Sequence, residues 1–143
     1  MIGGATSQTA IFWPVIAQVL LTFVAYMVMS SRRVAAVKAG EARMRDFAVP
    51  ADPPASAAAA RNVANQFELP VLFYVACLAF HQIGAVDLVA LVLAWAFVVA
   101  RVAHAWVHMT VNVVLMRRRF FIAGFVAVGL MWAWFAVALV TAQ

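Results

Sequence analysis

Three polar residues in an otherwise apolar part of the chain, Arg61, Asn65 and Glu68, have the types and the spacing of a binding site. On a continuous helix they fall on one side, within an arc of about 60°. A guanidinium group, an amide and a carboxylate that run into a membrane are costly unless they face protein partners or a ligand. This stripe therefore predicts a site for a charged, hydrogen-bonding molecule.

A second polar stripe lies in a later apolar segment. It consists of Arg101, His104, His108 and Asn112, which fall within about 80° of arc on a helix. At a rise of about 1.5 Å per residue, Glu68 and Arg101 reach similar depths on neighbouring antiparallel helices. We expect an ion pair between them, because pairing is the natural way to carry both charges into a low-dielectric region.

The number of polar groups at this depth favours a ligand site over a purely structural ion pair. One ion pair needs one or two helper groups, and more than that are present. The groups expected in the same half of the membrane are Arg61, Asn65, His104, His108 and Arg117. Such a surplus of donors and ambivalent groups indicates an anionic, hydrogen-bonding ligand.

Composition identifies the chain as an integral membrane protein. Of its 143 residues, 68% are hydrophobic and 10% are charged, whereas a soluble domain is about half apolar and a quarter charged. The net charge of +5 comes from basic residues grouped between apolar segments, so we expect no nucleic-acid partner. Cys77 is the only cysteine, which excludes an intrachain disulfide, and we expect it to be buried within a span.

Four apolar segments are long enough to cross a bilayer core of about 30 Å as helices. We predict one all-α membrane domain over residues 1–143, a four-transmembrane-helix bundle. Its spans are predicted at about 9–30, 61–81, 88–109 and 119–140, with a loop at about 31–60. Ser56 is the predicted N-cap of the second helix, and Pro70 predicts a kink within it.

The basic residues also predict an orientation. Nine of the ten Lys and Arg residues lie between the first and second or between the third and fourth apolar segments, and the short second connection, with Gly84 as its turn residue, has none. The positive-inside rule therefore places loops one and three in the cytoplasm and both termini outside. The charges of loop one are expected to contact anionic lipid headgroups.

These residues resemble the MAPEG family (membrane-associated proteins in eicosanoid and glutathione metabolism). Arg61-x3-Asn65-x2-Glu68, followed by a proline and a Phe-rich span, resembles the family's second-helix signature. Arg101-Val102-Ala103-His104 resembles its third-helix motif. The length, the four spans and the long first loop are similar as well, so the resemblance covers nearly the whole chain.

The resemblance implies a homotrimer of four-helix bundles with glutathione, as co-substrate, bound between subunits at the cytoplasmic side. In family enzymes arginines bind the glutathione carboxylates and stabilise a thiolate, and Arg117 stands at the position of such a catalytic arginine. Arg101 matches the buried partner of the glutamate, and His104 matches a histidine that contacts glutathione. The residues expected to bind glutathione are Arg61, Asn65, Glu68, Arg101, His104 and His108.

The sequence also departs from the family pattern in the predicted site. His108 replaces a tyrosine that contacts glutathione, Phe121 replaces a further tyrosine, and Arg118 replaces a serine. Pro70 follows the glutamate more closely than in the mammalian enzymes. These departures leave catalysis open, because some family members bind lipids and are not enzymes.

Three functions are consistent with these observations. The first is a MAPEG-like protein of a bacterial inner membrane that binds glutathione, with transferase or peroxidase activity toward a small apolar substrate. The second is a non-catalytic scaffold of the same fold that binds lipids or a partner. The third is a small four-span exporter, which would need an unpaired carboxylate within the membrane, and the expected pairing of Glu68 with Arg101 counts against it.

Overall fold

Five α-helices and three short 3₁₀ helices make up the computed structural model, which describes residues 6–49 and 52–141. The α-helices are α1 (Phe12–Lys38), α2 (Pro54–Ala64), α3 (Leu69–Gln82), α4 (Leu88–Met109) and α5 (Val114–Thr141). The 3₁₀ helices are Gln8–Ile11, Met44–Ala48 and Asn65–Phe67. The described residues contain no strand, which confirms the all-α fold class.

Four helical segments are long and apolar enough to cross a membrane, and the chain is an integral membrane protein. The second of them, Pro54–Gln82, combines α2, the third 3₁₀ helix and α3. α1 continues to Lys38, beyond the predicted end at residue 30, and α5 begins at Val114, before the predicted start at residue 119. Arg, Lys, Leu and Met favour helix, so these helices continue past the apolar segments into their basic flanks.

The second span is broken at the place where the sequence predicts a kink. α2 ends at Ala64, the chain tightens into the 3₁₀ turn Asn65–Phe67, and Glu68 has φ −99° and ψ −103° before α3 begins. In a continuous helix the ring of Pro70 would clash with the carbonyl of Gln66. Pro70 lies instead in the first turn of α3, where a missing N–H is tolerated. The predicted kink is therefore a break with two helix ends.

The start of α2 also differs from the prediction. The helix begins at Pro54, with Pro53 as its N-cap, because proline has the φ of a first helical residue. Ser56 does not cap the helix and donates its hydroxyl to Oδ1 of Asp52 at 2.8 Å. Arg33 of α1 donates Nε and Nη2 to the two Asp52 oxygens at 2.7 and 2.6 Å. This clamp fastens the end of loop one to α1.

Aromatic side chains fill the core between α3, α4 and α5. Phe73 stacks on Phe97 with ring centroids 4.5 Å apart, and the edge of Phe80 meets Phe135 at 5.2 Å. Cys77 is fully buried in the same core, as the sequence predicts. Apolar packing thus holds the middle of the bundle, and most of the polar contacts lie toward its two ends.

One end of the bundle is closed by neutral and acidic groups. The side-chain amide of Gln8 accepts from the backbone N–H of Val86 at 2.9 Å and donates to its carbonyl at 3.2 Å. Asp87 caps α4, and Trp134 of α5 donates its indole N–H to the same carboxylate. The predicted turn residue Gly84 has φ +67°. The basic residues of the described chain lie toward the opposite end.

Candidate functional site

A cavity of about 540 Å³ opens at the basic end of the bundle, where α2 and α4 end and α5 begins. Its lining residues are Arg61, Ala64, Asn65, Glu68, His104, His108, Val114, Arg117, Arg118 and Phe121. Six of the seven residues that the sequence predicts for the site line this cavity, and Arg101 is the exception. The arginines and the glutamate at its rim are at least partly exposed, whereas His104 and His108 are 3% and 2% exposed.

Arg101 lies behind the cavity wall, and its expected ion pair with Glu68 is wrong for this chain. The guanidinium is fully buried and donates Nη2 to the backbone carbonyl of Asn65 at 2.8 Å. Glu68 is exposed, and among the described residues it forms no ion pair. The prediction assumed a continuous helix, but the backbone of Glu68 is non-helical, so its side chain leaves the expected stripe and lines the cavity.

Asn65 joins the two histidines at the base of the cavity. Its Nδ2 lies 3.5 Å from Nε2 of His104 and 3.5 Å from Nδ1 of His108, which are long contacts. Nδ1 of His104 faces the backbone carbonyl of Arg117 at 3.1 Å and therefore carries its hydrogen, so His104 Nε2 accepts from Asn65. His108 Nδ1 accepts in the same way, and the hydrogen of that neutral ring lies on Nε2.

Most of the buried side-chain atoms that lack a partner in the described part of the chain are donors, and Gln18 Oε1 is the acceptor among them. Arg101 Nε, Arg101 Nη1 and His108 Nε2 are buried without a partner among the described residues. A buried donor without an acceptor costs about 1–3 kcal/mol, and more when it is charged. Arg101 does not line the cavity, so of these atoms only His108 Nε2 belongs to a lining residue, and the donors that an anionic ligand would meet are chiefly the guanidinium groups at the rim.

Asn112 positions Arg117, a role that the sequence did not reveal. We expected Asn112 on the polar stripe of the third span, but α4 ends at Met109 and Asn112 lies in the turn that follows. Its φ is +45°, a left-handed conformation that asparagine adopts more readily than most residues. Its Oδ1 accepts from Nη1 of Arg117 at 3.0 Å, which holds the guanidinium at the cavity. An asparagine just after an apolar helix was the available signal.

The basic run at the start of α5 divides between two surroundings. Arg117 and Arg118 line the cavity, whereas Arg119 is exposed and lies outside it. With Arg61 and Glu68, the lining residues carry three guanidinium groups and one carboxylate, a formal excess of two positive charges. Such a cavity attracts an anion and offers a single acidic partner to a cationic group of the ligand.

A buried cluster of amides beside the site was missed from the sequence. Gln18 of α1 donates Nε2 to Oε1 of Gln66 at 2.9 Å, and Gln66 donates to the carbonyl of Asn62 at 3.3 Å. All three side chains are at most 1% exposed. The signal available in the sequence was Gln18 within the first apolar span, together with Asn62 and Gln66. These two are spaced by four residues and would point away from Arg61 on an ideal helix.

Metal binding has no support in the part of the chain that the structure describes. Among residues 6–49 and 52–141, no three His, Cys, Asp or Glu side chains come close enough together to hold a metal ion. The histidines of the cavity are engaged by an amide and a backbone carbonyl. The arrangement therefore suits hydrogen bonding and charge pairing with an organic anion.

The fold and the cavity define a four-helix integral membrane protein with a cationic, donor-rich site at its basic end. Comparison with protein-family models matches residues 10–137 to the MAPEG family. The match spans nearly the whole chain, and the protein belongs to the MAPEG family. No curated protein and no solved structure matches the chain.

Proposed function

We propose that the protein binds glutathione in the cavity between α2, α4 and α5. The observation that carries this proposal is the composition of the lining, three guanidinium groups and one carboxylate around two buried histidines. Glutathione has two carboxylates, one ammonium group and a thiol. Its carboxylates match the arginines and its ammonium group matches Glu68, the one acidic group of the lining.

We place the thiol beside the apolar part of the lining, at Phe121 and Val114. Phe121 packs against the His104 ring with centroids 5.8 Å apart, and Val114 adds further apolar surface. A thiol of ordinary pKa, about 8.5, becomes a better nucleophile at neutral pH when an adjacent cation lowers that pKa. Arg117, held by Asn112, is the cation that would stabilise the thiolate.

We propose a transferase or peroxidase reaction of this thiolate with a small apolar electrophile from the bilayer. In the transferase case, the sulfur forms a bond to the electrophilic carbon, and the leaving group departs with the bonding pair. Membership of the family supports this proposal. A non-catalytic scaffold is the second candidate, because none of the lining residues carries a hydroxyl group that could assist the reaction.

The setting of Glu68 disfavours an exporter of cationic drugs. The carboxylate forms no ion pair among the described residues, but it lines a cavity together with three arginines. Their combined positive charge would repel a cationic substrate. An anionic ligand with one ammonium group fits the same surroundings.

We also propose the assembly and orientation that the family and the charges suggest. These are a homotrimer in a bacterial inner membrane, with loops one and three in the cytoplasm and both termini outside. The basic residues near Arg33, Arg61 and Arg117 support this orientation by the positive-inside rule. Glutathione is abundant in the cytoplasm, which is the side to which the cavity would then open.

Calorimetric titration of the purified protein with glutathione tests the binding proposal. The wild type should show saturable binding, and Arg117→Ala should raise Kd about tenfold or more, because one charge-assisted interaction is lost. Arg119→Ala is the matched control, since it removes the same charge two residues away and outside the cavity. Absence of saturable binding, or an equal loss of affinity in the two variants, would show that the cavity does not bind glutathione.

Turnover of a model electrophile, 1-chloro-2,4-dinitrobenzene, then separates the enzyme from the scaffold. An enzyme should form the conjugate faster than free glutathione at the same pH, and Arg117→Ala should abolish the difference. Saturable binding without acceleration for this electrophile or for an organic hydroperoxide would support the scaffold.

A further inference from the structure

The buried amides beside the cavity hold the break in the second span. Gln66 is the middle residue of the 3₁₀ turn Asn65–Phe67, and it is 1% exposed. Its Oε1 accepts from Nε2 of Gln18 in α1 at 2.9 Å, and its Nε2 donates to the backbone carbonyl of Asn62 at 3.3 Å. Carbonyls in the last turn of a helix lose their usual backbone partners. One side chain therefore ties the turn both to α1 and to the end of α2.

The same short segment presents other residues to the cavity. Asn65 and Glu68 line the cavity, whereas the Gln66 side chain is held by α1. From the opposite side, Arg101 of α4 donates Nη2 to the backbone carbonyl of Asn65 at 2.8 Å. The segment is thus fixed from α1 by an amide and from α4 by a guanidinium group, and the non-helical backbone of Glu68 follows directly.

The amide pair gives the turn a direction that apolar packing would not give. Reversing the Gln66 amide would turn its Nε2 toward the Gln18 donor and its Oε1 toward the Asn62 carbonyl, so only one orientation satisfies both contacts. Gln18 Oε1 and Asn62 Nδ2 lack a protein partner in the described part of the chain. Two apolar side chains of the same shape can replace a buried hydrogen-bonded pair with little loss of stability. Stability alone therefore does not explain these amides.

We infer that Gln18 and Gln66 are positioning residues, which orient the turn so that the Glu68 carboxylate faces the cavity. Glu68 is the one acidic group of a lining with three arginines, so its position decides whether the site accepts a cationic group of a ligand. The amide pair thereby sets a preference for ligands that carry an ammonium group besides their carboxylates. This preference rests on the proposed function, whereas the placement of Glu68 does not.

Two variants separate positioning from packing. Gln66→Met keeps the length of the side chain and leaves the Gln18 amide unpaired, so it should lower the Tm. The double variant Gln18→Met/Gln66→Met removes both partners and should recover most of that Tm, with the helical circular dichroism of the wild type. Gln82→Met, an exposed position at the other end of α3, is the matched control and should change nothing.

Thiol labelling at position 68 tests the placement without glutathione. The reagents are methanethiosulfonates that carry either a sulfonate or a trimethylammonium group, and Cys77, the only native thiol, is fully buried. Because three arginines line the cavity, the ratio of the sulfonate rate to the trimethylammonium rate should be several-fold higher for Glu68→Cys than for Glu41→Cys, which is exposed and outside the cavity. Adding Gln66→Met or the double substitution should remove this excess, and adding Gln82→Met should retain it. An unchanged excess in both methionine backgrounds would overturn the inference.

Calorimetry with glutathione and N-acetylglutathione, which lacks the ammonium group, measures the ligand preference. The wild type should bind glutathione about tenfold more tightly, and Glu68→Gln should abolish that preference. Gln66→Met and the double variant should abolish it as well, although the double variant is as stable as the wild type. A preference retained by the double variant would overturn the positioning role, because apolar packing would then suffice. If the wild type binds neither ligand, the proposed function fails, and the labelling ratios decide the placement of Glu68 on their own.

Discussion

Replacing Asp52 with asparagine should loosen the clamp between loop one and α1. Arg33 makes two charge-assisted hydrogen bonds to the Asp52 carboxylate, and Ser56 adds a third contact at 2.8 Å. The Asp52 side chain is 8% exposed and that of Arg33 is 31% exposed. Breaking a fully buried pair costs about 3–5 kcal/mol, and an exposed pair contributes 0–1 kcal/mol. For this partly buried pair we expect the substitution to cost about 1–2 kcal/mol of stability, which raises the equilibrium constant for local opening by a factor of roughly 5–30.

Hydrogen exchange by mass spectrometry measures this opening directly. The amides of the first turns of α2, including the Ala57 N–H that bonds the Pro53 carbonyl at 2.9 Å, should exchange roughly 5–30-fold faster in Asp52→Asn. Glu41→Gln is the matched control, because it removes an exposed carboxylate from the same loop. Equal exchange in wild type and Asp52→Asn would show that the clamp does not hold the loop, and the reasoning would fail.

The same clamp predicts a pH dependence. The hydrogen bonds from Arg33 hold the pKa of Asp52, which lies outside the spans, below its usual value of 3.8. A carboxyl group whose pKa is lower in the folded state stabilises that state above its unfolded pKa. The difference in exchange between wild type and Asp52→Asn should therefore be constant at neutral pH, begin to shrink as the pH falls through about 3.8, and vanish once the pH is below the lowered pKa of the folded state. A difference that does not shrink below pH 3.8 would contradict the assignment.

Three further variants test the proposed glutathione site in the cavity. Asn112→Gly, which tolerates the left-handed φ of +45°, should raise the glutathione Kd about fivefold by releasing Arg117, with little loss of stability. An unchanged Kd would show that Asn112 does not position Arg117. Gly124→Ala should be tolerated, because the added Cβ would lie 3.6 Å from Cδ of Arg101, an ordinary van der Waals contact. Gly124→Leu should displace the Arg101 guanidinium and weaken glutathione binding. Equal glutathione Kd values for the two variants would contradict this packing. His108→Phe should weaken binding by removing a buried polar group from the lining, as measured by calorimetry on protein whose helical circular dichroism is unchanged.

The sequence predicted the architecture because the membrane imposes strong constraints. A span must be apolar and about 20 residues long, so composition and length alone identify four helices. The positions of Arg61, Asn65, His104 and Arg117 around one cavity also followed from helical periodicity and from the resemblance to a family. Periodicity predicts which residues share a face, and that was sufficient for these positions.

The prediction was wrong where the backbone leaves the regular helix. Pro70 forces a break rather than a gentle kink, and the non-helical Glu68 then faces the cavity instead of pairing with Arg101. Asn112 belongs to a turn because α4 ends before it, and its left-handed conformation turns its side chain toward Arg117. Helix ends depend on tertiary packing as well as local sequence, so spacing on an ideal helix does not apply beyond them.

The most direct test of the central claim compares glutathione with its diethyl ester, in which both carboxylates are neutralised, in calorimetric titrations of the wild-type protein. If the arginines of the cavity recognise the carboxylates, the ester loses two charge-assisted interactions of about 1.5–3 kcal/mol each. The account predicts that glutathione binds saturably and that the ester binds more than about 100-fold more weakly. Equal affinities of the two ligands, or tighter binding of the ester, would contradict it.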